Sequence, residues 1–202
     1  MKRIISVILF SIITISTSFA QILSIGTGIA YKESFKEKSI YTKTINGFLT
    51  LGAGIYSQPF LKIPLKTGID FSFGEKTILS YSAPKNQPLG TGSTDINRSI
   101  KLIIIEIPFL YRFYQNKIIS ILMGVKIGLN KATINEHFSG LDFSNTSTVP
   151  TLGISSEIEF KLSSLFSLGG FINYRFLKNK IIDFRDYDYS GFWFDMKVLY
   201  SL

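Results

Sequence analysis

The feature that most constrains this chain is a strict alternation of apolar and polar residues, which recurs eight times between residues 23 and 202. A period of two sends successive side chains to opposite faces of a β-strand, so each run reads as a strand with one apolar face. The third run is the cleanest. It sets Leu61, Ile63, Leu65, Thr67, Ile69, Phe71 and Phe73 against Lys62, Pro64, Lys66, Gly68, Asp70, Ser72 and Gly74. The other seven cover residues 23–31, 49–55, 103–113, 119–130, 152–161, 166–175 and 192–202. No helix-period segment competes with them after residue 20. The sequence therefore predicts an all-β, eight-stranded, antiparallel up-and-down barrel.

Alternation alone does not say which face points inward. The apolar set carries essentially no charge, whereas the opposite set carries Lys62, Lys66, Asp70, Glu106, Arg112, Lys126, Glu157, Glu159, Lys161, Arg175, Asp195 and Lys197. The rest of that set reads mainly as Gly, Ser, Ala and Asn, which suits the narrow interior of about eight strands. Aromatic residues of the apolar face gather near strand ends (Tyr31, Phe71, Phe73, Tyr111, Phe113, Phe160, Phe166, Phe192, Phe194, Tyr200), as in the two girdles of a membrane barrel. The apolar face is accordingly expected to meet lipid. The twelve charges are expected to fill the lumen as a mutually neutralising, structural plug, since unpaired and desolvated charges would be costly.

Connection lengths support a membrane barrel. The links at Ser57-Gln58-Pro59, Gln115-Asn116-Lys117 and Ser163-Ser164 are tight, while those near residues 32–44, 75–98, 131–149 and 177–188 are long and polar. Short and long alternate strictly, as expected of periplasmic turns and extracellular loops. Both termini are then expected in the periplasm. Pro64 and Pro108 lack the donor that a ladder needs, so a local break in pairing is expected at each.

Residues 1–20 have the layout of a secretory signal peptide. Lys2 and Arg3 precede an apolar stretch over residues 4–15, and Ser18-Phe19-Ala20 supplies small residues at a cleavage site before Gln21. The expected division is a signal peptide at 1–20 and an outer-membrane barrel domain at 21–202. Cysteine is absent, so neither disulfides nor thiolate metal sites can form. The 22 basic residues exceed the 14 acidic ones but are dispersed along the chain. That pattern suits anionic headgroups and does not point to nucleic acid.

Local motifs point the same way. Glu106-Ile107-Pro108-Phe109-Leu110-Tyr111-Arg112 enters one strand, and Gly124-Val125-Lys126-Ile127-Gly128 forms the next. Together with the leader and eight strands, these segments resemble the PorT-like outer-membrane β-barrel proteins. The resemblance implies a small barrel in the outer membrane of a Gram-negative envelope, and no residue here carries over the secretion-related role of the family's namesake.

Residues with catalytic potential are few. His137 is the sole histidine, and His137-Phe138-Ser139 has the spacing that places imidazole and hydroxyl on one strand face, with Glu136 adjacent. The motif reads as part of a long loop, residues 135–140. Leu89-Gly90-Thr91-Gly92-Ser93 lacks both the lysine and the helix of a phosphate loop. The expected function is a non-enzymatic, porin-like barrel with a structural or interaction role and no cofactor. A narrow channel or transporter for small or hydrophobic solutes is the alternative, and a lipid A-modifying hydrolase a more remote one. Expected partners are outer-membrane lipid, the barrel-assembly machinery during biogenesis, and a ligand or protein at the long loops.

Overall fold

The structure is a computed structural model that describes residues 21–38, 42–59, 64–82, 95–138, 141–181 and 185–202. The leader at 1–20, Lys62, the glycine-rich stretch at 89–93 and Ser139 lie outside the described residues. Ten strands follow in chain order: β1 (Gln21–Lys38), β2 (Thr42–Pro59), β3 (Leu65–Ser82), β4 (Asp95–Gln115), β5 (Ile119–Phe138), β6 (Leu141–Lys161), β7 (Phe166–Phe176), β8 (Lys178–Ile181), β9 (Arg185–Asp188) and β10 (Gly191–Ser201).

Each strand from β1 to β6 pairs antiparallel with the next, and β10 pairs with both β7 and β1. Eight strands thus close a ring. The short β8 and β9 prolong the β7–β10 hairpin beyond a kink, where Tyr189 N donates to Leu177 O at 2.8 Å and Leu177 N donates to Ser190 Oγ at 2.9 Å.

Alternation decides the two faces. Outward residues such as Leu51, Ile55, Phe109, Val125, Ile154 and Met196 are exposed, while their immediate neighbours are buried or half-buried. The outer row changes from apolar to charged between Tyr31 and Glu33, Phe73 and Glu75, Ile103 and Lys101, and Leu129 and Lys131. These changes draw a boundary round the barrel. On β5 the apolar row runs over residues 119–129, the length a tilted strand needs to cross a hydrocarbon layer. Aromatic pairs lie at both limits of the band. Tyr111 and Phe113 have ring centres 5.0 Å apart, and Tyr174 and Phe192 5.1 Å apart.

Beyond that boundary the strands continue. The links expected over residues 32–44, 75–98 and 131–149 consist largely of paired strand: Lys38 still pairs with Thr42, Ser82 with Asp95, and Phe138 with Leu141. The end of the barrel away from the termini therefore carries a projecting collar. Its outer face is polar, so the apolar alternation that marks a lipid-facing strand stops before the strand does. Two turns at the termini end are as tight as their sequences suggest, whereas Ser57, Gln58 and Pro59, expected as the third, still pair within β2 and the link beyond them lies outside the described residues. Asn116 Oδ1 accepts from Ile118 N and Ile119 N at 2.8 and 2.6 Å, and Ser163 Oγ accepts from Leu165 N and Phe166 N at 3.2 and 3.0 Å. Such side-chain caps close turns that a bare backbone would leave unsatisfied.

The prolines act locally. Strand β3 is described from Leu65, one residue after Pro64, whereas the strand start expected at Leu61 lies outside the described residues. Within β4, Pro108 pairs in register with Lys126 of β5. On the β3 side the ladder lapses between Thr67↔Phe109 and Asp70↔Glu106, opposite the missing N–H.

Candidate functional site

The lumen holds a buried network of ionised side chains in three groups. Nearest the termini, Lys66 of β3 reaches two carboxylates of β6, with Nζ 2.7 Å from Glu157 Oε1 and 2.6 Å from Glu159 Oε1. In the middle, Asp70 of β3 accepts from Lys126 Nζ at 3.1 Å, from Lys197 Nζ at 2.6 Å, and from the Tyr56 hydroxyl. In the third group, Arg175 of β7 holds Glu106 of β4 through Nε (3.0 Å to Oε1) and Nη2 (2.9 Å to Oε2). Thr151 Oγ1 adds a donor to Glu106 at 3.1 Å, and Asp195 lies 3.6 Å from Arg175.

These nine charged residues are all buried. Removing each from water costs several kcal/mol (order of magnitude), which good geometry and several partners per ion must offset. The multiple contacts on Lys66, Asp70 and Glu106 meet that requirement. Glycines leave the room: a Cβ at Gly54 would lie 2.5 Å from Asp70 Oδ1.

Three of the twelve expected lumen residues stand apart. Lys161, expected inside, is exposed at the last position of β6, where the strand has already passed the rim. Arg112 is half-buried and donates from Nη1 to Gln115 Oε1 at 3.0 Å. Lys62 lies outside the described residues.

The interior also departs from the small-residue filling expected of it. Tyr56, Phe171 and Trp193 point inward and are buried, as do Leu102, Ile104, Leu110 and Leu122. Phe171 forms a hub for the ammonium groups, with Lys197 4.9 Å, Lys126 5.2 Å and Lys66 5.6 Å from its ring centre. Sequence reading passed over Tyr56 and Phe171. The available signal was an aromatic in phase with the polar set: Tyr56 after Thr50, Gly52 and Gly54, and Phe171 between Gly169 and Asn173.

Away from the termini an apolar cap closes the charged zone. Phe48, Ile100, Leu102, Ile104, Leu177 and Trp193 pack as one buried cluster with Tyr187 and Tyr189. Trp193 joins the two zones, its ring centre 4.9 Å from the Arg175 guanidinium. Ion pairs below and packed rings above therefore fill the bore.

The histidine is placed differently from its expected loop. His137 lies on β5, on the outer face of the collar, with Nδ1 2.7 Å from Asp142 Oδ1 of β6. A cavity of about 320 Å³ beside it also contains Ser99 and Ser144. Their hydroxyls donate elsewhere, to Glu75 Oε1 at 3.3 Å and Asn135 Oδ1 at 3.0 Å. Glu136 has the opposite parity and pairs with Arg98 at 2.6 Å, so it does not orient the imidazole. Among the described residues the cleft holds a His–Asp pair without a hydroxyl aimed at it.

A closed ring of eight antiparallel strands, apolar outside and ionised inside, is the build of the small outer-membrane β-barrels. The attachment invasion locus protein Ail of Yersinia pestis has this fold, with a TM-score of 0.54 at 14% identity over 90% of this chain and 98% of that chain. Neisserial surface protein A has it too, with a TM-score of 0.54 at 15% identity over 89% of this chain and 97% of that one. Ail in complex with the heparin analogue sucrose octasulfate aligns with a TM-score of 0.51 at 15% identity, over 90% of this chain and 99% of its own. At such identities the likeness is one of fold alone. No protein-family model and no curated protein matches the sequence.

Proposed function

We propose that this chain is a closed, non-enzymatic barrel of the outer membrane, which stiffens the lipid wall and presents a polar collar to the exterior. One observation carries the reading: the bore is occupied along its length by the Lys66, Asp70 and Glu106 groups and then by the Trp193 cap. A conducting pore needs a path that ions can enter and leave; here paired side chains take that place. Residues 1–20 act as the cleaved leader, both termini face the periplasm, and the collar faces outward, in keeping with tight turns at one end and long excursions at the other. The barrel-assembly machinery inserts the chain, and surrounding lipid covers the apolar band. Within this class we read the chain as a PorT-like barrel. The support for this is the pair of segments that suggested it, which lie side by side in register, Glu106 opposite Gly128 and Pro108 opposite Lys126.

The test is conductance in a planar bilayer, using protein whose fold is checked by a gel shift between unboiled and boiled samples. A heat-shifting protein that gives no stable unitary current supports the closed barrel. Discrete, reproducible current steps from the same preparation would reject it in favour of a channel.

A further inference from the structure

The ring closes between β1 and β10, and its seam carries an extra residue. Tyr31 pairs with Phe194, and the next pair beyond it is Lys36 with Asp188 of β9. Residues 32–35 thus face residues 189–193, a run one residue longer, which is the count of a β-bulge. Gly191 sits in the longer run with φ at 121°, a conformation that residues with side chains rarely adopt. A Cβ there would lie 2.9 Å from Lys32 Nζ.

A cavity of about 430 Å³ occupies this gap. It straddles the outward limit of the apolar band, where the outer row of β1 passes from Tyr31 to Glu33. On the band side Phe192 and Phe194 are exposed, with Tyr174 edge-on to Phe192. On the collar side stand two lysines, Lys32 and Lys36, and two carboxylates, Glu33 and Asp188. Lys32 is buried, with Nζ 2.9 Å from Ser190 O and 5.8 Å from the Trp193 ring centre. An ammonium has three donors, and among the described residues Ser190 takes one.

An occupant must answer three features together. The slot opens at the outward limit of the band, so the amphiphile that reaches it belongs to the outer leaflet. In a Gram-negative outer membrane that leaflet is built of a glycolipid, acylated and phosphorylated amino sugar. The two lysines call for an anionic group. The two carboxylates call for hydrogen-bond donors, and they repel a head that brings negative charge alone. A phosphorylated amino sugar carries all of these: phosphate, hydroxyls, amide N–H groups and acyl chains.

We propose that this slot seats the head of the outer-leaflet glycolipid, its phosphate toward Lys32 and Lys36 and its sugar hydroxyls and amide N–H groups toward Glu33 and Asp188. The acyl chains run down over Phe192 and Phe194. Aromatic rings at the interface and basic pockets at headgroup depth are the usual means by which membrane proteins hold lipid. The inference rests on the membrane-barrel reading with the collar outward.

Native mass spectrometry of the full chain released from detergent micelles tests it. Three probes are used: lipid A, phosphatidylglycerol and chain-free glucosamine 6-phosphate. The wild type should retain one lipid A in preference to phosphatidylglycerol. Lys36→Met, at an exposed position, should lower the apparent affinity for lipid A about tenfold, the loss of one charge-assisted contact. Glu33→Gln should narrow the preference over phosphatidylglycerol, because it removes a carboxylate that sugar donors satisfy and a sugar-free anionic lipid does not. Lys131→Met is the control: it removes an exposed lysine of β5 at the same limit, on the far side of the ring, and should leave lipid A retention unchanged. A loss there as large as in Lys36→Met would overturn the slot in favour of diffuse surface charge. Equal retention of the two lipids by the wild type would overturn it too. Glucosamine 6-phosphate bound as tightly as lipid A would do the same, since the site would then take a soluble ligand. The boiled and unboiled gel lanes are read separately: a wild type without a heat shift sinks the barrel reading itself, whereas a shifting wild type without lipid preference sinks only the slot.

Discussion

Glu106 has more at stake than any other single residue in the lumen. Its two oxygens take three bonds from Arg175 and one from Thr151, at 2.9 to 3.2 Å. Glu106→Ala would leave the Arg175 guanidinium buried with Asp195 at 3.6 Å as its remaining carboxylate partner. Removing one member of a buried pair typically costs about 3–5 kcal/mol. The expected outcome is a lower temperature for loss of the heat-resistant gel band and an earlier urea midpoint in micelles. The double change Glu106→Leu with Arg175→Met should recover most of that loss, because two apolar side chains carry no uncompensated charge. A double variant as weak as the single one would show that shape, not charge, was removed. At this scale the inward set could be read from the sequence by phase alone, and Glu106 and Arg175 follow from it directly. Their partnership could not: they lie 69 positions apart.

Elements obey local chemistry at their turns and distant geometry along their length. The Asn116 turn is closed by one side-chain oxygen serving two backbone donors. Asn116→Ala should therefore cost about 1 kcal/mol by removing these net bonds, measured as a shift in the urea midpoint without loss of the folded band. An unchanged midpoint would mean that water replaces the side chain at no penalty. Turn residues were legible for this reason: Asn and Ser cap their own neighbours. Strand length was not. Beyond Tyr31, Phe73 and Leu129 the outward side chains become Glu33, Glu75 and Lys131, while apolar residues such as Ile100, Ala132 and Ile134 take the inward row, so the apolar phase that marks a lipid-facing strand is lost. Pairing persists there because each backbone still finds its partner across the hairpin.

For the whole molecule, the collar and the band should differ in stability. Within the band every barrel strand has two paired neighbours, whereas the β2–β3 ladder is confined to residues 51–57 and 67–73. Above it, Lys76 Nζ bridges to the carbonyls of Asn46 and Gly47 in place of ladder bonds. Local opening follows solvent exposure and the number of supporting contacts. Hydrogen exchange in micelles should thus protect residues 51–57, 103–109 and 121–129 longest, with residues 42–48 and 75–82 exchanging well before them. Uniform protection from band to collar would contradict the split between the two zones.

The sequence by itself determined the all-β class, the eight-fold repetition, the face most band residues take and the turns at Asn116 and Ser163. All of these depend on neighbours within a few residues, through the two-residue period and the side chains that cap a turn. Only the tertiary structure decided which charges meet, that Phe171 gathers three lysines, and that the closing seam bulges at Gly191. Lys66 and Glu157 are 91 positions apart and Lys197 and Asp70 are 127 apart. Their meeting depends on how the strands are staggered as the ring closes, a quantity set by the pairing of all eight strands together.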